Sequence, residues 1–480
     1  MLRRRLMKQQ EDEVIDLSLR DVYGNPIERS TANCYVVSKP GKYKLPLVYG
    51  NAIKNGRVNT AAFTNNGGEY SHDFIDGMSD IITQPLLDYN NIYGLSVRNY
   101  DVEDSDVISY ERLPSGAWLP VEEDDFYYAE FEIKQIPSTG ANIIISINNP
   151  MSYPVWNWHI WLWPHDLSPV EITNSTGIKY NIMPVNLASK YDDDGIHIKN
   201  WFYQWGRPIP LLCPSTWNST TDHSPGSITK TSKSGVLGYG ILYPTKFYYN
   251  DTPPYNWFGD QSYYNLWDAA CTGTGSYDND TVKTVYDPCP VGWKIPNGNV
   301  FTGFTHEVKY SENGHCFFPR YDGDTIGIGI PLSGRRSSSD GSINNTNNYM
   351  QIWTSASKSQ NYANSYFCYS GTAYRPSEGI SRAAGGSVRP VQDDNIQLEV
   401  IMISFTIDDT TYQAESGMTW FEWLNSEYNI GGFYTDSGLI TNIVGYGVSL
   451  DGTFICLQDS IIGGAAYSLM NCGNSGGSDN

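Results

Sequence analysis

The chain has 480 residues, room for about two to four domains of roughly 100–200 residues. Charged residues are only 17%, yet Asp and Glu outnumber Lys and Arg by 52 to 31, for a net charge of -21, which argues against nucleic acid or an anionic membrane surface as a partner. Aromatics at 14%, with 36 Tyr and 14 Trp, argue against disorder, and with 45 Gly they describe a β-rich, turn-rich protein with a neutral polar surface.

The first residues, Met1-Leu2-Arg3-Arg4-Arg5, open like a secretory leader, but Lys8, Glu11, Asp12 and Glu13 follow at once. The 7–15-residue apolar stretch of a signal peptide is therefore missing. No window approaches the roughly 18 apolar residues of a membrane-spanning helix. The expectation is a chain made in a cytoplasm. Residues 1–29 are highly charged and read as an extended arm that orders against a partner, or as a frayed terminus.

Strand signals begin at residue 30. Cys34–Val37 stops at Pro40-Gly41, and Tyr43–Tyr49 alternates up to Gly50-Asn51. Ala129–Lys134 has period 2, Asn142–Ile147 is an apolar run, and Trp156–Trp163 is an aromatic strand ended by Pro164. Short strands punctuated by Gly, Pro and Asn predict a β-sandwich over 30–165. Residues 166–395 carry short strands and long loops rich in Tyr, Trp, Asn and Ser, with one short helix expected at Tyr263–Ala270. Long loops on a tight scaffold make a binding architecture. Residues 396–465 form a separate β-rich module. It opens with the strand Val400–Ile407, turns at Asp408-Asp409, and includes a short helix at Thr419–Ser426 capped by Thr419. Residues 466–480 read as a flexible tail.

Few residues carry a catalytic or metal signal. Gly314-His315-Cys316 puts His beside Cys, but neighbours on an extended chain point to opposite faces. HExxH and a Gly-x-Ser-x-Gly elbow are absent. Asp192-Asp193-Asp194-Gly195, Asp278-Asn279-Asp280 and Asp322-Gly323-Asp324 offer hard oxygens but none fits an EF-hand loop. They read as turns. Arg335-Arg336 reads as a solvated basic loop. His159 reads as a packed core histidine. The eight cysteines, Cys34, Cys213, Cys271, Cys289, Cys316, Cys368, Cys456 and Cys472, show no CxxC and read as buried small hydrophobes. Neither a metal nor a cofactor is expected. The aromatic and amide texture of 345–375 favours ligand binding, because Tyr gives large contact area at low entropy cost. The ligand-binding candidates are Tyr362, Asn364, Tyr369 and Tyr374, with the three tyrosines expected to be exposed.

Several strings resemble one family. They are Ala32–Val37 with Pro40–Tyr43 and Gly50–Ala52, Trp156–Trp161, Tyr203-Gln204-Trp205-Gly206-Arg207, and Asn265–Asp268 with Tyr286–Pro296. Trp353-Thr354-Ser355, Arg382-Ala383 and Gly386–Val391 complete the set. Together, over about residues 30–394, they resemble proteins with the Fibrobacter succinogenes major paralogous domain, common on fimbrillin-like surface proteins. The resemblance implies a C-type-lectin-like fold for 166–395, since Gly386–Val391 looks like the last strand of that fold. Residues 407–434 resemble small modules on gut-phage structural proteins. An adhesin-like chain without an export signal implies assembly onto a particle released by lysis. The resemblance thus implies a non-enzymatic virion protein of a crAss-like tailed phage. It would be a homo-oligomeric head or tail fibre, bound to capsid or tail proteins through residues 1–29 and to host surface glycan or protein through its loops. The alternatives are a bacterial fimbrillin-like adhesin and a fibre-borne polysaccharide depolymerase.

Overall fold

The computed structural model describes residues 14–99, 107–111, 118, 120–222, 229–232, 235–259, 263–274, 280–304, 310–312, 314–369 and 373–393, together with six strands beyond residue 400. The chain is mainly β, with 39% strand and 5% helix. It divides into two compact units, Met1–Gln397 and Leu398–Asn480.

In the first unit two sheets come early. One orders Val14–Asp16, Gly41–Pro46, Phe126–Ile133 and Ile108–Ser109, with Val121–Glu123 also on Phe126–Ile133. The other orders Cys34–Val37, Pro154–Leu162, Ala141–Asn148 and Gly94–Asn99. Its central hairpin pairs Ala141 with Leu162 and Ile147 with Trp156, and every residue of both strands is buried. The alternation explains how both faces can be covered. Ile143, Ile145 and Ile147 share a face with Trp156, Trp158 and Ile160, and all six join the principal core. The opposite face carries Asn142, Ser146, Asn157, His159 and Trp161. Its polar atoms are met by chain beyond residue 165. Asn157 Nδ2 donates to the Ile241 carbonyl at 2.8 Å, and Trp161 Nε1 to that of Ser189 at 2.9 Å. His159 Nε2 bonds Asn142 Oδ1 at 2.8 Å, and burial pushes its imidazole down to about 3. The expected boundary near 165 therefore falls inside one unit, whose core runs from Leu17 to Val388.

The first 29 residues correct an expectation. From Val14 onward they are not an arm. Val14–Asp16 pairs in parallel with Lys42–Lys44, Leu17 and Ile27 are buried, and Asp16 takes an ion pair from Arg29 at 2.9 Å. Two apolar anchors in a strand-and-turn bring this segment into the core. Residues 1–13 lie outside the described part. The helix expected at Tyr263–Ala270 is also absent: those residues run as turns and bends, and a single helical turn sits at Tyr239–Leu242 instead.

Residues 283–296 form a knot under the first sheets. Asn33 Nδ2 donates to the carbonyls of Val285 and Asp287, and Asn51 Nδ2 to those of Thr284 and Asp287. The Asp287 carboxylate accepts from the backbone of Cys289 and Ile295. A second, smaller core gathers Phe301, Phe304, Cys316, Phe318, Ile330, Ile352, Tyr366 and Cys368 among others. It lies between the sheets Tyr310–Glu312/His315–Phe318/Ile328–Pro331 and Tyr349–Ser357/Tyr362–Tyr369/Ala373–Ser381.

In the second unit the described residues form a six-stranded sheet, ordered Thr410–Glu415, Met402–Ile407, Ala466–Asn471, Phe454–Asp459, Ile443–Ser449 and Ile430–Tyr434. Ile407 pairs with Thr410 across Asp408-Asp409. Ala466–Asn471 is a strand paired with Phe454–Asp459, so the expected tail starts too early at 466: alternating Tyr467 and Leu469 continue the β pattern. The helix expected at Thr419–Ser426 lies outside the described residues.

Candidate functional site

Loops without ladder partners leave backbone carbonyls inside the protein, and each needs a donor. Arginine supplies five in a fixed fork. Four fully buried arginines perform this work, and three of them, Arg207, Arg382 and Arg389, lie in the strings quoted above. Arg207 donates through Nη1 to Gln204 Oε1 (3.1 Å) and the Lys246 carbonyl (2.7 Å), and through Nη2 to the Gly240 carbonyl (2.8 Å). Arg382 donates to Asn256 Oδ1 (3.2 Å), the Gln360 carbonyl (2.8 Å), the Ser359 carbonyl (3.1 Å) and Ser357 Oγ, with its guanidinium 4.8 Å from the Trp205 ring centre. Arg389 holds the carbonyls of Met183 and Gly329. Burial pushes Arg382 down to about 10 and Arg389 to about 9. Indole N–H groups do the same. Trp353 donates to the Tyr203 carbonyl, Trp205 to that of Thr354, and Trp257 to that of Trp205. The family-like strings are thus the internal fastening of the loops.

Gly206 sits within this fastening at φ +88°, and a Cβ there would lie 2.4 Å from Leu266 Cδ1. Gly206→Ala is expected to cost about 2–3 kcal/mol, from the left-handed backbone and overpacking together. Urea unfolding measures it.

Arg335-Arg336 is a correction. Arg336 is fully buried, not solvated. It donates to the carbonyls of Leu212 and Gly341 and to Asp222, between the rings of Phe202 and Phe247. Arg335 lies 5.3 Å from the Tyr349 ring centre.

The four ligand candidates do not form one site. Tyr362 and Tyr369 stand at opposite ends of one strand, about 23 Å apart at 3.3 Å per residue. Asn364 is completely buried, so it cannot meet a ligand without unfolding the strand. Tyr369 is half-buried and packs on Tyr349 at 4.9 Å. Tyr374 pairs with Cys368, placing it near the Tyr369 end; its side chain is outside the described part. Tyr362 is half-buried, not fully exposed, and stacks on Tyr255 at 5.2 Å with an 18° tilt. Arg382 sets this pair. It grips the 256 and 359–360 loops together, while the Tyr255 carbonyl accepts from Ser381 Oγ and the Ala383 N–H. Exposed Gln360 and half-buried Asn361 lie beside the pair.

Sequence reasoning missed Tyr255 and a second aromatic surface. Tyr89 and Tyr127 stack at 4.0 Å and 4°. Nearby, the Tyr93 N–H bonds the Asn148 carbonyl at the foot of a turn bearing Met151. Tyr93 is 69% exposed and Met151 71%. The signal was the string Tyr89-Asn90-Asn91-Ile92-Tyr93, which puts two tyrosines around a tight turn.

The acidic turns are occupied by protein donors. Asp194 accepts from the backbone N–H groups of His197 and Ile196 and from His197 Nδ1 (2.5 Å), which bring its carboxyl down to about 2. Asp192 faces Lys199 at 3.2 Å, and Asp324 chelates Arg320 through both oxygens. Asp280 pairs with Lys294 at 2.6 Å, while Asp278 and Asn279 lie outside the described residues. Among the described residues no three His, Cys, Asp or Glu converge as a metal site. Cys316 is buried while His315 is half-buried, on alternate sides of their strand. A groove of about 510 Å³ runs over the first sheet, with Glu111, Glu130, Glu132, Tyr110 and Trp118 in its wall. No helix among the described residues is long and apolar enough to cross a membrane.

Comparison with protein-family models, with curated proteins and with solved structures finds no match.

Proposed function

We propose that this chain is a non-catalytic, homo-oligomeric virion protein of a tailed phage, a head or tail fibre that binds host surface glycan or protein. On this reading the two early sheets form a β-sandwich, residues 166–395 a C-type-lectin-like domain, and residues 1–13 join the capsid or tail. The virion assignment rests on the sequence resemblance. The binding assignment rests on one observation: the Tyr255–Tyr362 stack, fixed from beneath by buried Arg382 and flanked by amides. Stacked rings give a sugar or peptide a flat apolar face, and fastened loops lose little entropy on binding. Repeated copies on a particle would raise avidity without new contacts.

Tyr255→Ala and Tyr362→Ala are each expected to weaken host-cell binding about tenfold or more, with melting within a few degrees of wild type. Titration of labelled protein onto host cells checks it; undiminished binding by both variants would remove this site from consideration. Mass spectrometry of purified particles against membranes of uninfected cells tests the virion assignment, and presence in membranes alone would favour the fimbrillin-like adhesin.

A second reading, a depolymerase, draws on the groove containing Glu130 and Glu132, two residues apart on one strand and so about 7 Å between Cα atoms. Glycoside hydrolysis needs two carboxylates, and the i, i+2 spacing puts these two on one face of the strand. If Glu130→Gln and Glu132→Gln leave loss of polysaccharide viscosity unchanged, this reading fails.

A further inference from the structure

All six cysteines among the described residues of the first unit are buried, and none is in a disulfide. Two of them meet. Cys316 lies on His315–Phe318, opposite Ile330, and Cys368 on Tyr362–Tyr369, opposite Met350. Both belong to the smaller core and neither has any exposed surface. The neighbouring rings show how the strands face one another. Phe318 and Tyr366 meet edge-on at 5.8 Å. Side chains two residues apart on a strand share a face. Contact between Phe318 and Tyr366 brings the two strands together, Cys316 and Cys368 lie in the core they share, and the two thiols act on each other electrostatically. Cys289, by contrast, bonds Asp287.

We propose that Cys316 and Cys368 become a disulfide once the protein leaves a reducing compartment, stapling the His315–Phe318 sheet to the Tyr362–Tyr369 sheet. The oxidant is a small-molecule disulfide such as glutathione disulfide. One cysteine thiolate attacks a glutathione sulfur, forming a mixed disulfide and expelling one glutathione. The second thiolate attacks the protein sulfur of that bond and expels the other. The protein loses two electrons and two protons, and glutathione disulfide becomes two thiols. The bond places the sulfurs about 2.05 Å apart. The neighbouring Cys316 sulfur and burial both push the Cys368 thiol far up, which keeps it protonated. Thiolate attack therefore waits on local opening of the sheet, and oxidation of the folded protein is slow.

The bond closes a loop of roughly fifty residues, and a constraint of that length on a unit of this size corresponds to a melting rise of about 5 °C. The test uses the full chain, purified in dithiothreitol and divided between dithiothreitol and glutathione disulfide. Each half is denatured, alkylated and digested. The expected result is a linked pair of peptides containing Cys316 and Cys368, two hydrogens lighter than the reduced pair, with melting raised in the oxidised half. Full alkylation of both cysteines after oxidation overturns the proposal, as does a bond from either to any other cysteine. Cys316→Ala is expected to abolish the redox-dependent shift. If that variant does not fold, the peptide pair from the wild-type chain decides alone.

Discussion

Arg207→Ala is expected to destabilise the first unit by about 3–5 kcal/mol, measured as a loss of unfolding free energy in urea. The whole stability of a domain is about 5–15 kcal/mol, so this is a large share. The cause lies in what the guanidinium leaves behind. Carbonyls of Lys246 and Gly240 would stand inside the protein without their donor, and the Gln204 amide oxygen would keep only the Tyr248 N–H at 3.4 Å. Gln204 is itself committed, donating to the carbonyls of Tyr248 and Ala383. The damage would therefore pass from one loop to the next. A cavity beside Trp257 adds to it, because the guanidinium packs 5.6 Å from that ring. Arg207→Lys is expected to recover only a minor part: one ammonium has three donors and no fork to reach carbonyls on both sides. If Arg207→Lys matched wild type, the fork geometry would not be what holds these loops.

That result would bear on how the sequence is read. The strands with strong period were legible: Cys34–Val37, Ala141–Asn148 and Pro154–Leu162 fall where alternation and Pro164 place them. What alternation could not show was the covering of both faces of the Ala141–Leu162 hairpin. Asn142 and Asn157 look like a solvent face, yet they are buried because later chain supplies the Ala188 and Ile241 carbonyls to meet them. Arg335-Arg336 failed for the same reason. A charged pair reads as solvated by default, and only tertiary structure reveals the Leu212 and Gly341 carbonyls waiting for it. The candidate site was legible in part. The aromatic texture of 345–375 led to Tyr362 but not to its partner, because Tyr255 lies more than a hundred residues earlier and is held beside it by tertiary bonds from Ser381 and Ala383. Texture also could not separate Tyr362 from Asn364, since the buried side of a strand at a loop-covered sheet carries amides too.

Between pH 7 and 5 the wild-type chain is expected to change little in stability, and Asp76→Asn is expected to expose why. Burial pushes Asp76 and Asp268 each up from 3.8 to about 6. A raised acid contributes stability that is complete below its unfolded value and is lost as pH rises through about 6. Burial pushes His159 the other way, from 6.5 down to about 3. A depressed base contributes stability above 6.5 that is lost as pH falls toward 3. Over pH 7 to 5 the two acids gain roughly what the histidine loses. Below about pH 4 the depressed carboxylates take over. Asp194 near 2, with Asp192 and Asp393 also lowered, all lose their contribution as pH falls. Asp76→Asn keeps the Oδ1 acceptor for the Met78 and Asp80 N–H groups and presents an amide to the Tyr49 hydroxyl, so the loop geometry is retained. Only the ionisation is removed. The variant's stability relative to wild type should therefore rise by about 2 kcal/mol between pH 4 and pH 7, with most of the change between 4 and 6. Urea midpoints across that range measure the difference directly. A difference independent of pH would mean that Asp76 ionises as an ordinary carboxylate, and that Tyr49 and the two N–H groups offset its burial in full.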